Sequence, residues 1–161
     1  MKAVMYHYVR EYDSRLPFFK FLDVKNFEKQ LDYFNSEYGF VSKEEWVQVL
    51  NEKSLGNTKG KILLTFDDAM SCHYDYVFRE LKKRGLWGIF YVPTQPYQKS
   101  KILDVHRIHL LCGAFEGIKL IATLKELLDE NMIPDKKIRE FREQTYTRQE
   151  NFQGVSEFKR I

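Results

Sequence analysis

The sequence predicts an α/β fold built on parallel strands, and three features carry that prediction. Lys61-Ile62-Leu63-Leu64-Thr65-Phe66 is a continuous apolar run between turn signals, the pattern of a strand buried on both faces. Tyr74, Val77, Phe78 and Leu81 then recur at helical spacing and are closed by Gly85 at the position after a helix end. Leu86 to Val92 is a further buried-strand run, stopped by Pro93. A helical crossover between two such strands makes them parallel.

The other elements follow in order. Ala3 to Tyr8 is short, apolar and aromatic, and reads as a buried strand, with a loop holding Pro17 after it. Val24, Phe27, Leu31, Phe34 and Tyr38 lie at helical spacing behind an Asp23 cap, and Gly39 ends the helix. Ser42 and Glu45 form a capping box that opens a helix carrying Trp46, Val47 and Leu50. Gly56-Asn57 and Gly60 mark a loop. Beyond Pro96 the stretches Asp104 to Cys112, Ile118 to Leu128 and Asp135 to Glu143 read as helices, punctuated by Gly113 and Pro134. Val155, Phe158 and Ile161 keep a helical pattern at the end. Three strands with this many helices make neither a closed barrel nor a comfortable sheet. The expectation is the N-terminal portion of a larger α/β domain. The alternative is a small three-stranded α/β domain with a helical tail.

Composition narrows the function classes. The chain has 161 residues, enough for one domain, of which 43% are apolar. Its 26 basic and 23 acidic side chains nearly balance at +3, which argues against a dedicated nucleic-acid binder. The densest basic run, Lys82-Lys83-Arg84, falls in the last turn of an expected helix, where it complements the helix dipole. No apolar run approaches the roughly 20 residues of a membrane span. The start lacks the apolar region of a secretory signal, and Cys72 and Cys112 are too few for a disulfide framework. A cytoplasmic location is the expectation. The 16% aromatic content suits a sugar-binding cleft or an ordinary core equally well.

Thr65-Phe66-Asp67-Asp68-Ala69 is the candidate chemical centre. Paired carboxylates at the C-terminal end of a buried parallel strand sit where α/β folds build active sites. Unpaired, they repel each other, and a divalent metal or a shared proton relieves that repulsion. In the other reading, one Asp caps the following helix and its neighbour faces solvent.

These residues resemble the TFDDG motif of polysaccharide deacetylases, the NodB-homology proteins of carbohydrate esterase family 4. Met5-Tyr6-His7-Tyr8-Val9 resembles the YHxV first strand of that family, and Gly88-Ile89-Phe90-Tyr91-Val92 resembles its strand after the aspartates. The likeness covers residues 1 to about 95, with 96 to 161 resembling the helical insertion of a subgroup. It implies the N-terminal portion of a deformed (β/α) barrel, apparently incomplete, in a single domain over residues 1–161. It also implies metal-dependent removal of acetyl groups from N-acetylated sugars of a polysaccharide or glycan precursor. By matching positions Asp67 is the general base and Asp68 a ligand to a divalent metal, zinc first and cobalt, manganese or nickel as alternatives. One metal would both generate the nucleophile and stabilise charge on the carbonyl oxygen.

Two departures stand out. Ala69 replaces the family glycine; if the turn needs a positive φ, Ala costs about 1 kcal/mol or more, or the turn takes another shape. The family's H-[ST]-x-x-H metal motif is missing, and in the resembling subgroup it would lie beyond Ile161. His106-Arg107-Ile108-His109 has i, i+3 spacing, so its two rings share a helix face, but the expectation is an exposed or partner-facing helix edge rather than metal ligation. His7 ends the first strand, next to the aspartate strand if the sheet is parallel; it is the candidate substrate-binding residue, contacting substrate or an aspartate, and in the other reading a satisfied core or loop histidine. Cys72 and His73 are helix neighbours pointing about 100° apart, unsuited to a nucleophile–base dyad, and Cys72 reads as small-residue filler. The rival to an enzyme is a non-catalytic truncated remnant that binds carbohydrate or a partner, including a second chain that completes the barrel.

Overall fold

Strand β1 (Lys2–Tyr6) is followed by β2 (Val9–Arg10), β3 (Leu22–Asp23), helix α1 (Val24–Glu37), helix α2 (Lys43–Glu52) and strand β4 (Ile62–Phe66). After β4 come a π-helical segment (His73–Phe78) running into α3 (Arg79–Lys83), strand β5 (Ile89–Phe90), α4 (Gln95–Lys99), α5 (Asp104–Ala114) and α6 (Gly117–Leu127). This computed structural model describes residues 1–128, 135–137, 139–140 and 143. Its contacts divide the chain into two units, Met1–Glu116 and Gly117–Ile161. The helices expected at Asp135 to Glu143 and around Val155 to Ile161 lie largely or wholly outside the described residues.

The first unit is an α/β structure with parallel strands throughout. β4 pairs with β1 on one side, Tyr6 opposite Phe66, and with β5 on the other, Phe66 opposite Phe90. A separate parallel pair sets Val9 against Leu22 and Arg10 against Asp23. All three strands of the larger sheet therefore end at the same edge, which brings residues 7, 67, 68 and 91 to one rim.

Helix ends match the sequence signals. The Asp23 side chain accepts from the Lys25 amide at 2.9 Å to start α1, and Gly39 takes φ +67° just past its end. Ser42 and Glu45 complete the capping box of α2, and the same Glu45 accepts from Lys61 Nζ at 2.5 Å, tying α2 to the entrance of β4.

The core is one cluster. Phe27 and Leu31 of α1, Val77 and Leu81 pack on Ile62, Leu64 and Phe66 of β4, together with Tyr6 and Val9. The Tyr6 ring stacks on Phe66 at 5.4 Å and meets Phe27 edge-on at 5.1 Å. Each fully buried Leu or Phe of this kind contributes about 1.5–3 kcal/mol of transfer free energy.

Two strand expectations need correction. β4 is buried along its whole length, as read, but β1 and β5 are not: Met5 is 61% exposed and Phe90, at the end of β5, 36%. An apolar run does not say whether a strand is central or at an edge. Here β4 is shielded by a neighbour on each side, whereas β1 and β5 are the two edges of the sheet. The helical stripe after the aspartates is also thinner than read. The π-helical winding turns Tyr74 and Phe78 outward and leaves Val77 and Leu81 to fill the core.

The basic run behaves as expected and does more. Lys82 and Lys83 end α3, while Arg84 pairs with Glu80 at 2.6 Å and also with Asp32 of α1. No helix among the described residues is long and apolar enough to cross a membrane.

α6 lies in the second unit. Its Ile118, Ile121, Leu124 and Leu127 recur along the helix and are all exposed among the described residues.

Candidate active site

The site begins where β1 and β4 end together. The Asp67 amide donates to the Tyr6 carbonyl at 2.9 Å, a last rung of pairing, and the chain then turns sharply. Asp68 has φ +76° and Ala69 φ +48°. Two consecutive left-handed residues cost on the order of 1–2 kcal/mol each without glycine. The turn thus has the positive φ that suits glycine at 69 and bears the strain of alanine, as backbone at functional turns often does.

This turn directs Asp68 toward two imidazoles. Asp68 Oδ2 lies 3.6 Å from His7 Nε2 and 3.5 Å from His106 Nε2. His7 comes from the end of β1 and His106 from the first turn of α5, so three distant segments converge on one carboxylate oxygen. The His106 side chain is only 13% exposed, and its Nε2 is buried without a hydrogen-bond partner. The reading of His106 as an exposed or partner-facing edge is therefore corrected. Its neighbours Val105, Ile108 and Cys112 are exposed, while His106 itself turns inward.

α5 reaches the site because of how it docks. Gly113 sits against Phe19, where an added Cβ would come within 2.5 Å of the ring, and its carbonyl accepts from the Phe18 amide at 2.9 Å. Phe19 in turn meets the Tyr8 ring edge-on at 4.6 Å. Tyr8 Oη lies 2.7 Å from His106 Nδ1 and 3.0 Å from His109 Nδ1. Burial, reinforced by the negative charge of Asp68, pushes the Tyr8 hydroxyl up to about 12, so it stays protonated.

A second buried histidine supports His7 from below. His73 Nε2 donates to the His7 carbonyl at 2.5 Å, and its ring meets Phe66 and Phe90 edge-on. Burial lowers the His73 pKa below its ordinary value, against the opposing pull of Asp68 and Asp67, so the ring is neutral. Cys72 is buried and its thiol is pushed up by that burial, as suits an inert filler rather than a nucleophile.

A cavity of about 600 Å³ opens beside Asp68 and His106, walled by Tyr8, Arg10, Phe19 and Tyr97. On its wall Asp13 accepts from Arg10 at 3.1 Å and from Arg15 at 2.8 Å. The volume suits a small ligand or one unit of a polymer. Of the residues singled out in the sequence, Asp68 and His7 meet directly. Asp67 is half-buried beside them, and neither it nor His7 lines this cavity; His7 lines a second pocket with Phe18 and His109. Tyr8, His73 and His106 were missed as site residues; the paired histidines of Val105-His106-Arg107-Ile108-His109 were the available signal.

The chain is similar to solved deacetylases. The Streptococcus pyogenes deacetylase PplD in complex with acetate is 24% identical, with 69% of this chain and 52% of that chain covered at a TM-score of 0.49. The de-N-acetylase from Aggregatibacter actinomycetemcomitans is 17% identical, with 63% of this chain and 41% of that chain covered at a TM-score of 0.44. The chain thus spans about half the length of the proteins it matches. No family model matches the sequence, and no curated protein matches it.

Two of these donors stand near the spacing of ligands on one divalent ion. Two ligands on one tetrahedral zinc stand about 3.3 Å apart, given bonds of roughly 2.0–2.1 Å. The 3.5 Å between Asp68 Oδ2 and the orphaned His106 Nε2 is close to that spacing. Among the described residues no group of three or more His, Cys, Asp or Glu side chains is gathered tightly enough to hold a metal ion. The site offers a fitting pair of donors, with His7 Nε2 as the next nearest nitrogen.

Proposed function

We propose that this chain carries the site of a metal-dependent hydrolase that removes acetyl groups from N-acetylated sugars. The observation that carries the reading is the convergence of His7 and His106 on Asp68 Oδ2, beside Asp67, at the C-terminal rim of β4. The TFDDA, YHxV and GxFxV resemblances add the family expectation, including a partial deformed barrel.

In this reading Asp68 and His106 hold the metal, zinc being the first choice. A bound divalent ion supplies a low-pKa water and polarises the acetyl carbonyl. Asp67, adjacent and half-buried, takes the proton of the attacking water on its carboxylate. His7, on the solvent side of Asp68 with 39% of its side chain exposed, contacts the substrate. The cavity holds one sugar unit, with Phe19 and Tyr97 among the residues that line it.

A second reading is a carbohydrate-binding module without catalysis. It is favoured by the lack of a three-residue metal cluster among the described residues. One experiment separates the two: acetate release from chito-oligosaccharides with and without added zinc or cobalt, for the wild type and Asp67→Asn. The hydrolase reading expects metal-dependent release that Asp67→Asn abolishes while metal binding persists. Sugar binding with no acetate release under any metal would favour the module.

A further inference from the structure

Tyr8 belongs to neither the aspartate pair nor the histidine pair, yet it touches both histidines. Its single hydroxyl lies 2.7 Å from His106 Nδ1 and 3.0 Å from His109 Nδ1. A phenol has one proton to donate and lone pairs to accept with. That one proton can go to only one of the two imidazoles. When Tyr8 donates to one ring and accepts the Nδ1–H of the other, the two neutral rings are opposite tautomers.

The surroundings choose the direction once a cation is present. His106 Nε2 is buried, has no hydrogen-bond partner and faces Asp68 Oδ2 at 3.5 Å. A lone pair at that nitrogen requires the proton to be on Nδ1, where it donates to Tyr8 Oη. Tyr8 then donates onward to His109 Nδ1, and His109 carries its proton on its exposed side at Nε2. No proton is gained or lost in this arrangement; the two rings differ only in which nitrogen bears it.

We infer that Tyr8 is a positioning residue: it holds His106 and His109 in opposite tautomers and so presents the His106 Nε2 lone pair to a divalent cation at Asp68. The inference rests on the metal reading above for its purpose, but not for the tautomer rule itself. Partners of this kind on the far nitrogen of a ligating histidine fix its orientation and raise its basicity, and losing one typically weakens metal affinity about 10–100-fold. The high pKa of the hydroxyl agrees with a group that remains a donor. Packing of the Tyr8 ring on Phe19, which also seats Gly113 of α5, keeps the hydroxyl in register with the helix.

The test uses the 161-residue chain with ¹⁵N-labelled histidine, followed by long-range ¹H–¹⁵N spectra without metal and with zinc, and by competition titration of zinc against a chromogenic chelator. Tyr8→Phe keeps the ring and removes only the hydroxyl. The expected results are opposite tautomers for His106 and His109 in the wild type, Nδ1–H at His106 in the zinc form, and loss of this pairing in Tyr8→Phe with zinc bound about 10–100-fold more weakly. Identical tautomers in the wild type, or a Tyr8→Phe protein with unchanged tautomers and zinc affinity, would overturn the inference. Wild-type protein that binds no zinc but shows opposite tautomers, lost in Tyr8→Phe, would sink the metal reading and leave the positioning role standing.

Discussion

His106 Nε2 and Asp68 Oδ2 face each other at 3.5 Å, although one lies in α5 and the other in the turn after β4. Nothing local holds them together. The contact depends on the docking of α5 by Gly113 against Phe19 and on the left-handed turn at Asp68-Ala69, and each of these supports can be tested separately.

Gly113 of α5 packs against Phe19 in the loop before β3. A Cβ there would sit 2.5 Å from Phe19 Cδ2 and 2.9 Å from Phe19 Cβ, so Gly113→Val forces the helix outward. The expected cost is about 1–3 kcal/mol, as for other overpacked contacts, with zinc affinity falling more than for an exposed α5 control such as Arg107→Ala. Urea unfolding and zinc titration measure the two. Unchanged zinc affinity in a folded Gly113→Val protein would mean that α5 does not set the position of His106.

Ala69 sits at φ +48° without glycine's freedom. Ala69→Gly should raise stability by about 1 kcal/mol, the relieved strain exceeding the added entropy of the unfolded chain. The urea midpoint reads this directly. A loss of stability would show that the turn is not strained at this residue.

His73 is held neutral by burial while its Nε2 supports the His7 carbonyl. Its folded pKa lies below the 6.5 of the unfolded group, so between the two values the unfolded chain binds more protons. The stability is therefore present above pH 6.5 and declines as the pH falls through the folded pKa. The urea midpoint of metal-free protein should drop between pH 7 and pH 5, and His73→Gln should flatten that slope. A slope equal in the two proteins would assign the effect elsewhere.

Glu80 is a buried acid, and burial alone would raise its pKa; Arg84 and Lys83 outweigh that and hold it low. Arg84→Ala should cost about 2 kcal/mol, because it strips the closer partner from a desolvated charge. Arg84→Lys should recover part of this. The Asp32 end of the same pair is 66% exposed and contributes little, so Asp32→Asn should be close to neutral. Chemical denaturation of the three variants checks the ranking.

Much of the first unit was legible in the sequence, for local reasons. Asp23, Ser42 with Glu45, Gly39 and Gly85 punctuate helices through bonds and backbone angles within a few residues, so their signals survive without tertiary context. The unbroken run of β4 reads as a strand covered on both sides, and β4 is buried along its length. The runs at β1 and β5 look the same in sequence, but edge or centre is a property of neighbours, and Met5 and Phe90 proved exposed.

The site divides along the same line. Asp67-Asp68 at a strand end was legible from the apolar run before it, while the place of His7 beside them follows from the parallel register of β1 and β4, a pairing the sequence left as a condition. His106 does not, because i, i+3 histidines on a helix are compatible with either a solvent edge or a buried ligand. The sequence alone determined which chemical groups the chain owns and which strand ends carry them, since those depend on short-range patterning. Only the tertiary structure decided that His106 and Tyr8 join Asp68, because that contact requires α5, the Phe19 loop and the β4 turn to pack at ångström precision across segments far apart in the chain.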